Sequence, residues 1–334
     1  MNIDRFIIVG ENIHCTRIYK VGGSFVKEKD GRHVVVYQGG ELPIPSVFTE
    51  GAAWEAGKVK HCAVAIWQGH HGDEAGRAAG IAYLEHLARR QEEAGAAYLD
   101  INVDEFSTDI DERVRMMEWT VGVVQNSVSI PVSIDSSNTD ILKAGLKAAD
   151  PSRGRPMVNS VSLERVDAVA AAAEMNAVVI ASAAGEAGMP STAEERLANF
   201  ERLMPRLKEA GFALPDIHAD PLVFPISVDG LNGKRFLDAV AGVRRAHGPE
   251  IHIIAGLSNV SFGMPNRKLI NQVFSYLAVE SGADGGIVDP LQINAGMLNA
   301  MDTDSEAFRL AKALLLGEDE FGMNFIAAAR EGRL

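Results

Sequence analysis

Several short apolar runs in this chain end directly on residues that could do chemistry. Those positions read Glu11-Asn12, Asn102 with Asp104, Asp135-Ser136-Ser137, Asn159-Ser160, Ser182, Asp220, Asn259 and Asp289. The set is made of acids, amides and hydroxyls, with almost no Lys or Arg and little His. It suits phosphate poorly, because phosphate wants backbone N–H nests and cations. It does not suit Schiff-base chemistry either, since no Lys closes any of the runs. Its natural ligand is a flat heterocycle with a donor-rich edge. A guanidine-like N–C(NH2)–N edge pairs bidentately with a carboxylate, and each Asn offers one acceptor and two donors. The competing reading for any single acid is a helix N-cap, and Asp135-Ser136-Ser137 fits that role well. For four or five such residues together, capping becomes strained and a binding site is the better account.

The elements that must carry these residues are legible. Eight β-rich apolar segments recur: Phe6–Val9, Tyr98–Asn102, Pro131–Asp135, Met157–Ser160, Val178–Ser182, Ile217–Asp220, Ile251–Gly256 and Gly285–Asp289. Between them lie amphipathic stretches of helical length, including Glu112–Gln125, Asp140–Ala149, Leu163–Glu174, Ala193–Ala210 and Gly233–His247. Apolar strands alternating with helices imply a parallel sheet buried on both faces. Eight units point to an α/β fold of the (β/α)8 TIM-barrel type, whose strand ends share one mouth.

The chain has 334 residues, about 80 more than the roughly 250 of a typical barrel. The excess is predicted to be an insertion over residues 15–72, after the first strand and near the mouth, in a single domain spanning 1–334. Within it, Ser24–Lys29 and Arg32–Tyr37 flank Asp30-Gly31, the signal of a type I′ hairpin. Glu41–Pro45 reads as an extended connector, Ala52–Ile66 as a helix, and Gly69-His70-His71-Gly72 as a loop before a helix near Asp73.

Charge and cysteine content narrow the function classes. With 32 Lys+Arg against 45 Asp+Glu the net charge is −13, which argues against nucleic acid or an anionic membrane as partner. Two cysteines without a CxxC spacing exclude a disulfide scaffold or a Cys-rich metal knuckle and fit a reducing cytoplasm. No signal peptide or long apolar run is expected, so a cytoplasmic enzyme is the default. His14, His61, His70, His71 and His218 invite a metal reading, and Asp216-Ile-His-Ala-Asp220 has period-two spacing. The H-x-H and bridging Lys of metal-dependent amidohydrolases are absent, and no metal is expected. Met116-Met117 and Ala168–Ala173 read as core.

Taken together, Leu99-Asp-Ile-Asn-Val-Asp104, Ile134-Asp-Ser-Ser-Asn138, Met157-Val-Asn-Ser-Val-Ser162 and Gly256-Leu-Ser-Asn-Val-Ser-Phe-Gly-Met-Pro-Asn-Arg267 resemble the pterin-binding barrel family. The likeness is to methyltetrahydrofolate:corrinoid methyltransferases and the folate module of cobalamin-dependent methionine synthase, over roughly Leu99 to Asp289 plus Gly10-Glu11. The resemblance implies a dihydropteroate-synthase-like barrel and methyl transfer between 5-methyltetrahydrofolate, as substrate, and the cobalamin of a partner corrinoid protein. It assigns Asp135, Asn159 and Asp220 to the pterin ring and Asn259 to the neighbourhood of N5, with Asn102, Glu11 and Ser182 as further pterin-site candidates. It also implies a homodimer. After Gly10-Glu11 the chain departs from the family pattern with Asn12-Ile13-His14-Cys15. Two rival functions are a dihydropteroate synthase and a non-catalytic folate-binding subunit of a corrinoid system. The first would need a seventh-strand Lys and Ser-x-Arg, which Ser258-Asn259-Val260 does not supply.

Overall fold

The computed structural model describes residues 3–334. Eight strands build one sheet: β1 (Ile7–His14), β2 (Tyr98–Asn102), β3 (Val132–Asp135), β4 (Met157–Val161), β5 (Val178–Ser182), β6 (Ile217–Asp220), β7 (His252–Ile253) and β8 (Gly285–Val288). Their order is β7-β6-β5-β4-β3-β2-β1-β8, so each strand neighbours its sequence successor and β8 returns beside β1. The registers of β2–β3, β5–β6 and β6–β7 are parallel. The seam between β7 and β8 is bridged by Asp284 N–H to Ile253 O at 2.9 Å and Ile287 N–H to Ala255 O at 2.8 Å, and by a parallel bridge between Gly256 and Ile287. This is the expected α/β barrel of eight parallel strands.

The chain divides into two compact units, one comprising Met1–Val9, Ala94–Ala96 and Val158–Leu334, the other Gly10–Glu93 and Ala97–Met157. In the second unit β1 runs to His14, five residues past the expected end, so Glu11, Asn12 and His14 are strand residues. The Asp30-Gly31 hairpin forms between Val26–Lys29 and Arg32–Tyr37, with both turn residues at positive φ (50° and 71°) as a type I′ turn requires. The Glu41–Pro45 connector is in part a third strand, Gly40–Pro43, antiparallel to Arg32–Tyr37.

The Ala52–Ile66 helix does not form as one piece. Gly57, at φ 73°, ends a short helix Ala52–Glu55. Lys58–Lys60 then pairs antiparallel with Ile18–Lys20, and a new helix runs His61–His71. The Gly69–Gly72 loop is corrected with it, because Gly69-His70-His71 closes that helix. Helix Ile110–Gln125 follows β2 with Met116, Met117, Val121 and Val124 fully buried. Helix Thr139–Ala148 follows β3.

In the first unit, helices Asp167–Glu174, Ala193–Glu209, Asn232–His247 and Arg267–Ser281 follow β4 to β7. Ala168, Val169, Ala171 and Ala172 are buried as the core reading requires. Helix Ala193–Glu209 opens with a capping box in which Thr192 and Glu195 satisfy each other's backbone N–H groups. A short 3-10 helix, Leu257–Ser261, leaves β7 and carries Asn259.

Candidate functional site

The second unit places its polar residues through strand alternation. In β2, Asp100 and Asn102 fall on the same face, with Leu99 and Ile101 between them. The β2–β3 register sets Asn102 opposite Asp135. Asn102 donates from Nδ2 to Asp135 Oδ2 at 2.9 Å and accepts from the Asp104 N–H on Oδ1 at 3.0 Å. Both ends of the amide are thus engaged, which fixes its orientation.

Asp104 in turn holds the turn after β3. Its carboxylate accepts from Ser136 Oγ at 2.6 Å, Ser137 N–H at 2.7 Å and Ser137 Oγ at 2.8 Å. The N-cap of the following helix is Asn138, which accepts from the N–H groups of Asp140 and Ile141. Capping therefore does not account for Asp135.

Burial, followed by the charge of Asp100, pushes the Asp135 carboxyl up to about 7; His14 and the Asn102 hydrogen bond pull the other way. His14 Nε2 lies 2.9 Å from Asp100 Oδ2, and Asp100 is fully buried. Burial alone would lower the imidazole pKa, but the Asp100 hydrogen bond and the charges of Asp100, Asp135 and Glu11 raise it above its ordinary value. One donor atom each from His14, Asp100 and Asp135 lies within 4.8 Å of the others, a spacing that would admit a cation. Here the imidazole and the Asp100 carboxylate bond directly to each other. Glu11 is buried and pairs with Arg17 at 2.5 Å, whose Nε also donates to the Glu11 carbonyl at 3.1 Å.

The first unit carries the remaining candidates. Ser182 closes β5 opposite Asp220 at the end of β6. Asp220 is buried and accepts from the Leu222 N–H at 2.8 Å. Burial pushes its carboxyl up to about 7, against the opposing pull of that hydrogen bond and of Arg196. Arg196 is wholly buried and spends its donors on the carbonyls of Pro221, Thr192 and Leu222. Asn159 is half-buried within β4. Beside it, Ser160 accepts from Arg165 at 2.9 Å.

Asn259 is exposed, with its Nδ2 over the backbone of Gly256, where an added Cβ would come within 3.0 Å. Arg267 braces the same turn through Ser261 Oγ and the Ser258 carbonyl, both at 3.0 Å. His218 also points along the Asp220 face of β6, but it is buried and stacks on His252 with ring centroids 4.8 Å apart. Asp216 lies outside the strand, in the 3-10 turn Leu214–Asp216.

The structure joins Asn102 with Asp135 and sets Ser182 opposite Asp220. The sequence reading missed Asp100, Arg17 and the tie from Asp104 to the serines. The period-two spacing of Asp100 and Asn102 carried the first of these. Nothing in the spacing pointed to Arg17, six residues beyond its partner.

The fold is thus a parallel α/β barrel, several of whose strands end on acids and amides. The chain belongs to the family of pterin-binding enzymes, whose description "Pterin binding enzyme" matches residues 76–289. It is 31 % identical over 259 residues to a methylcorrinoid:tetrahydrofolate methyltransferase from Eubacterium limosum, covering 76 % of this chain and 89 % of that protein. The reading of the chain as a methyltransferase agrees with that relative. Among solved structures it resembles a dihydropteroate synthase from Stenotrophomonas maltophilia at a TM-score of 0.51 and 20 % identity, over 72 % of this chain and 88 % of that one. A Yersinia pestis dihydropteroate synthase matches at a TM-score of 0.49 and 20 % identity, over 69 % of this chain and 88 % of that one. No helix among the described residues is long and apolar enough to cross a membrane.

Proposed function

We propose that this enzyme moves a methyl group between N5 of tetrahydrofolate and the cobalt of a corrinoid substrate carried by a separate protein. The observation that carries the reading is the two carboxylates at strand ends, half-buried Asp135 and buried Asp220, each pushed up to about 7, by loss of water in both and by the Asp100 charge in the first. Such groups gain most when a neutral ligand offers N–H donors, because hydrogen bonds to the carboxylate replace lost water. The 2-amino-pyrimidinone edge of a pterin supplies those donors. Asp135, Asn159 and Asp220 then hold the ring. Asn102 acts on it through Asp135, while Ser182 and Glu11 shape the surroundings.

The name of the Eubacterium relative sets methylcorrinoid as donor and tetrahydrofolate as acceptor. In that direction N5 forms a bond to the methyl carbon and loses its proton, while the carbon–cobalt electron pair stays with cobalt. Asn259 can accept from the N5–H as positive charge builds on the nitrogen. In reverse, the same contact stabilises the N5-protonated methylfolate from which the methyl group departs. The amide is exposed to the approaching corrinoid protein and rests on Gly256. The enzyme is read as a cytoplasmic homodimer, and residues 15–72 as an elaboration near the barrel mouth.

Anaerobic mixing with methylcobalamin and tetrahydrofolate tests this directly. The methylcobalamin spectrum should decay as 5-methyltetrahydrofolate accumulates. Condensation of dihydropterin pyrophosphate with 4-aminobenzoate instead would establish the synthase. Folate binding with neither reaction would establish the non-catalytic subunit.

A further inference from the structure

His14 stands where the chain departs from the family pattern, and its surroundings give it a task. It lies on β1, half-buried, in a close set with buried Asp100 and half-buried Asp135, one polar atom of each within 4.8 Å of the others, and these carboxylates together with Glu11 raise its pKa against the opposing effect of burial. Glu11 is already neutralised by Arg17. Asp135 faces Asp100, His14 and Asp104, with Asn102 donating to it. Asp104 is engaged with Ser136 and Ser137. Two acids so close in a buried setting cannot both ionise cheaply without a positive partner. His14, bonded to Asp100 at 2.9 Å, is the partner the fold provides.

We propose that His14, held as an imidazolium on Asp100, is a positioning residue that keeps Asp135 available as the acceptor of the pterin donor edge. The inference rests on the folate reading above. His14 touches the ligand only through the charge state of Asp135. A protonated Asp135 has one oxygen occupied by hydrogen and cannot take two N–H donors. Without the imidazolium, Asp100 alone faces Asp135 and drives it toward that protonated form.

Tetrahydrofolate affinity, measured anaerobically from about pH 5.5 to about pH 9, separates this role from a structural one. In the wild type, affinity should rise with pH through neutrality as Asp135 ionises. In His14→Gln that rise should move to higher pH, leaving binding about tenfold weaker near neutrality and equal to wild type at the alkaline end. His14→Lys, which restores the cation, should bring the rise back. Asp100→Asn should move it to lower pH, because the Asp100 charge acts on Asp135 more strongly than His14 does. A loss in His14→Gln of equal size at every pH, or no loss, would overturn the proposal. If His14→Gln does not fold, the other two variants decide it: a wild-type profile in His14→Lys and a rise at lower pH in Asp100→Asn are expected, and a His14→Lys rise displaced to higher pH or an unmoved Asp100→Asn profile counts against it. Failure of the wild type to bind tetrahydrofolate at any pH would instead remove the folate reading itself.

Discussion

Asn102 and Asp135 sit opposite each other on neighbouring strands, and the amide of one donates to the carboxylate of the other at 2.9 Å. Because the Asn102 oxygen is occupied by the Asp104 N–H, the amide cannot turn over to present its acceptor. One oxygen of Asp135 is thereby steered before any ligand arrives, and alignment is not left to be established on binding.

Asp104 is the brace behind that alignment. Asp104→Ala removes three acceptor contacts to Ser136 and Ser137 at once. At about 1 kcal/mol net per hydrogen bond, unfolding in urea should show a loss on the order of 2–3 kcal/mol. Tetrahydrofolate should also bind more weakly, since the freed turn begins one residue after Asp135.

Asp220→Asn should stabilise the empty protein while damaging binding. A carboxyl raised to about 7 holds its proton more tightly in the fold than in the unfolded chain, where it titrates near 3.8. Its contribution is full at low pH and is lost as pH rises from about 4 to about 7. The cost above that window is on the order of 4 kcal/mol, which the neutral amide avoids. Thermal melting at alkaline pH should rise in the variant, and tetrahydrofolate affinity should fall more than tenfold. A variant no more stable than wild type would contradict the buried-carboxylate account.

Two histidines work in the opposite sense. Burial holds His61 and His218 near 3, so both are neutral in the fold; His61 Nδ1 shares a hydrogen bond with the Tyr83 hydroxyl at 3.0 Å. Their contribution is complete above about 6.5 and is lost as pH falls from there toward about 3. Acidification therefore sets histidine losses against carboxylate gains. In Asp220→Asn the gain is removed, and the melting temperature should drop more steeply with acid than in wild type. In His61→Gln the drop should be shallower.

Asn259→Ala should separate catalysis from binding. If the amide answers charge at N5 as proposed, single-turnover methyl transfer should slow by roughly 100-fold. Tetrahydrofolate affinity should stay within about threefold of wild type. Equal losses in both would make Asn259 a binding residue.

The barrel was legible because its strands are apolar runs with polar ends, and the hairpin because Asp30-Gly31 satisfies a specific turn geometry. The helix His61–His71 was not, because Gly69 and Gly72 read as loop residues. Gly69 is small for a packing reason, since a Cβ there would lie 2.2 Å from the Trp119 ring, and a Cβ on Gly80 would lie 2.4 Å from the Ala65 carbonyl oxygen. Long-range crowding of that kind leaves no local mark. Asp135 and Asp220 were legible as strand-end acids, while the His14–Asp100 contact joins residues 86 positions apart and had no local trace. The cap reading of Asp135 failed because Asn138, three residues on, was the better cap.

The two-residue strand β7 bears on how Asn259 behaves. Part of the β7–β8 fastening is a side chain: the Asp284 carboxylate accepts from the Ile253 N–H at 2.9 Å and from Arg244 at 2.5 Å. The turn that carries Asn259 thus leaves the shortest of the eight strands. Deuterium should enter the amides of Ile253 to Gly256 ahead of those in the longer strands, and the turn beyond them should share that freedom to tilt.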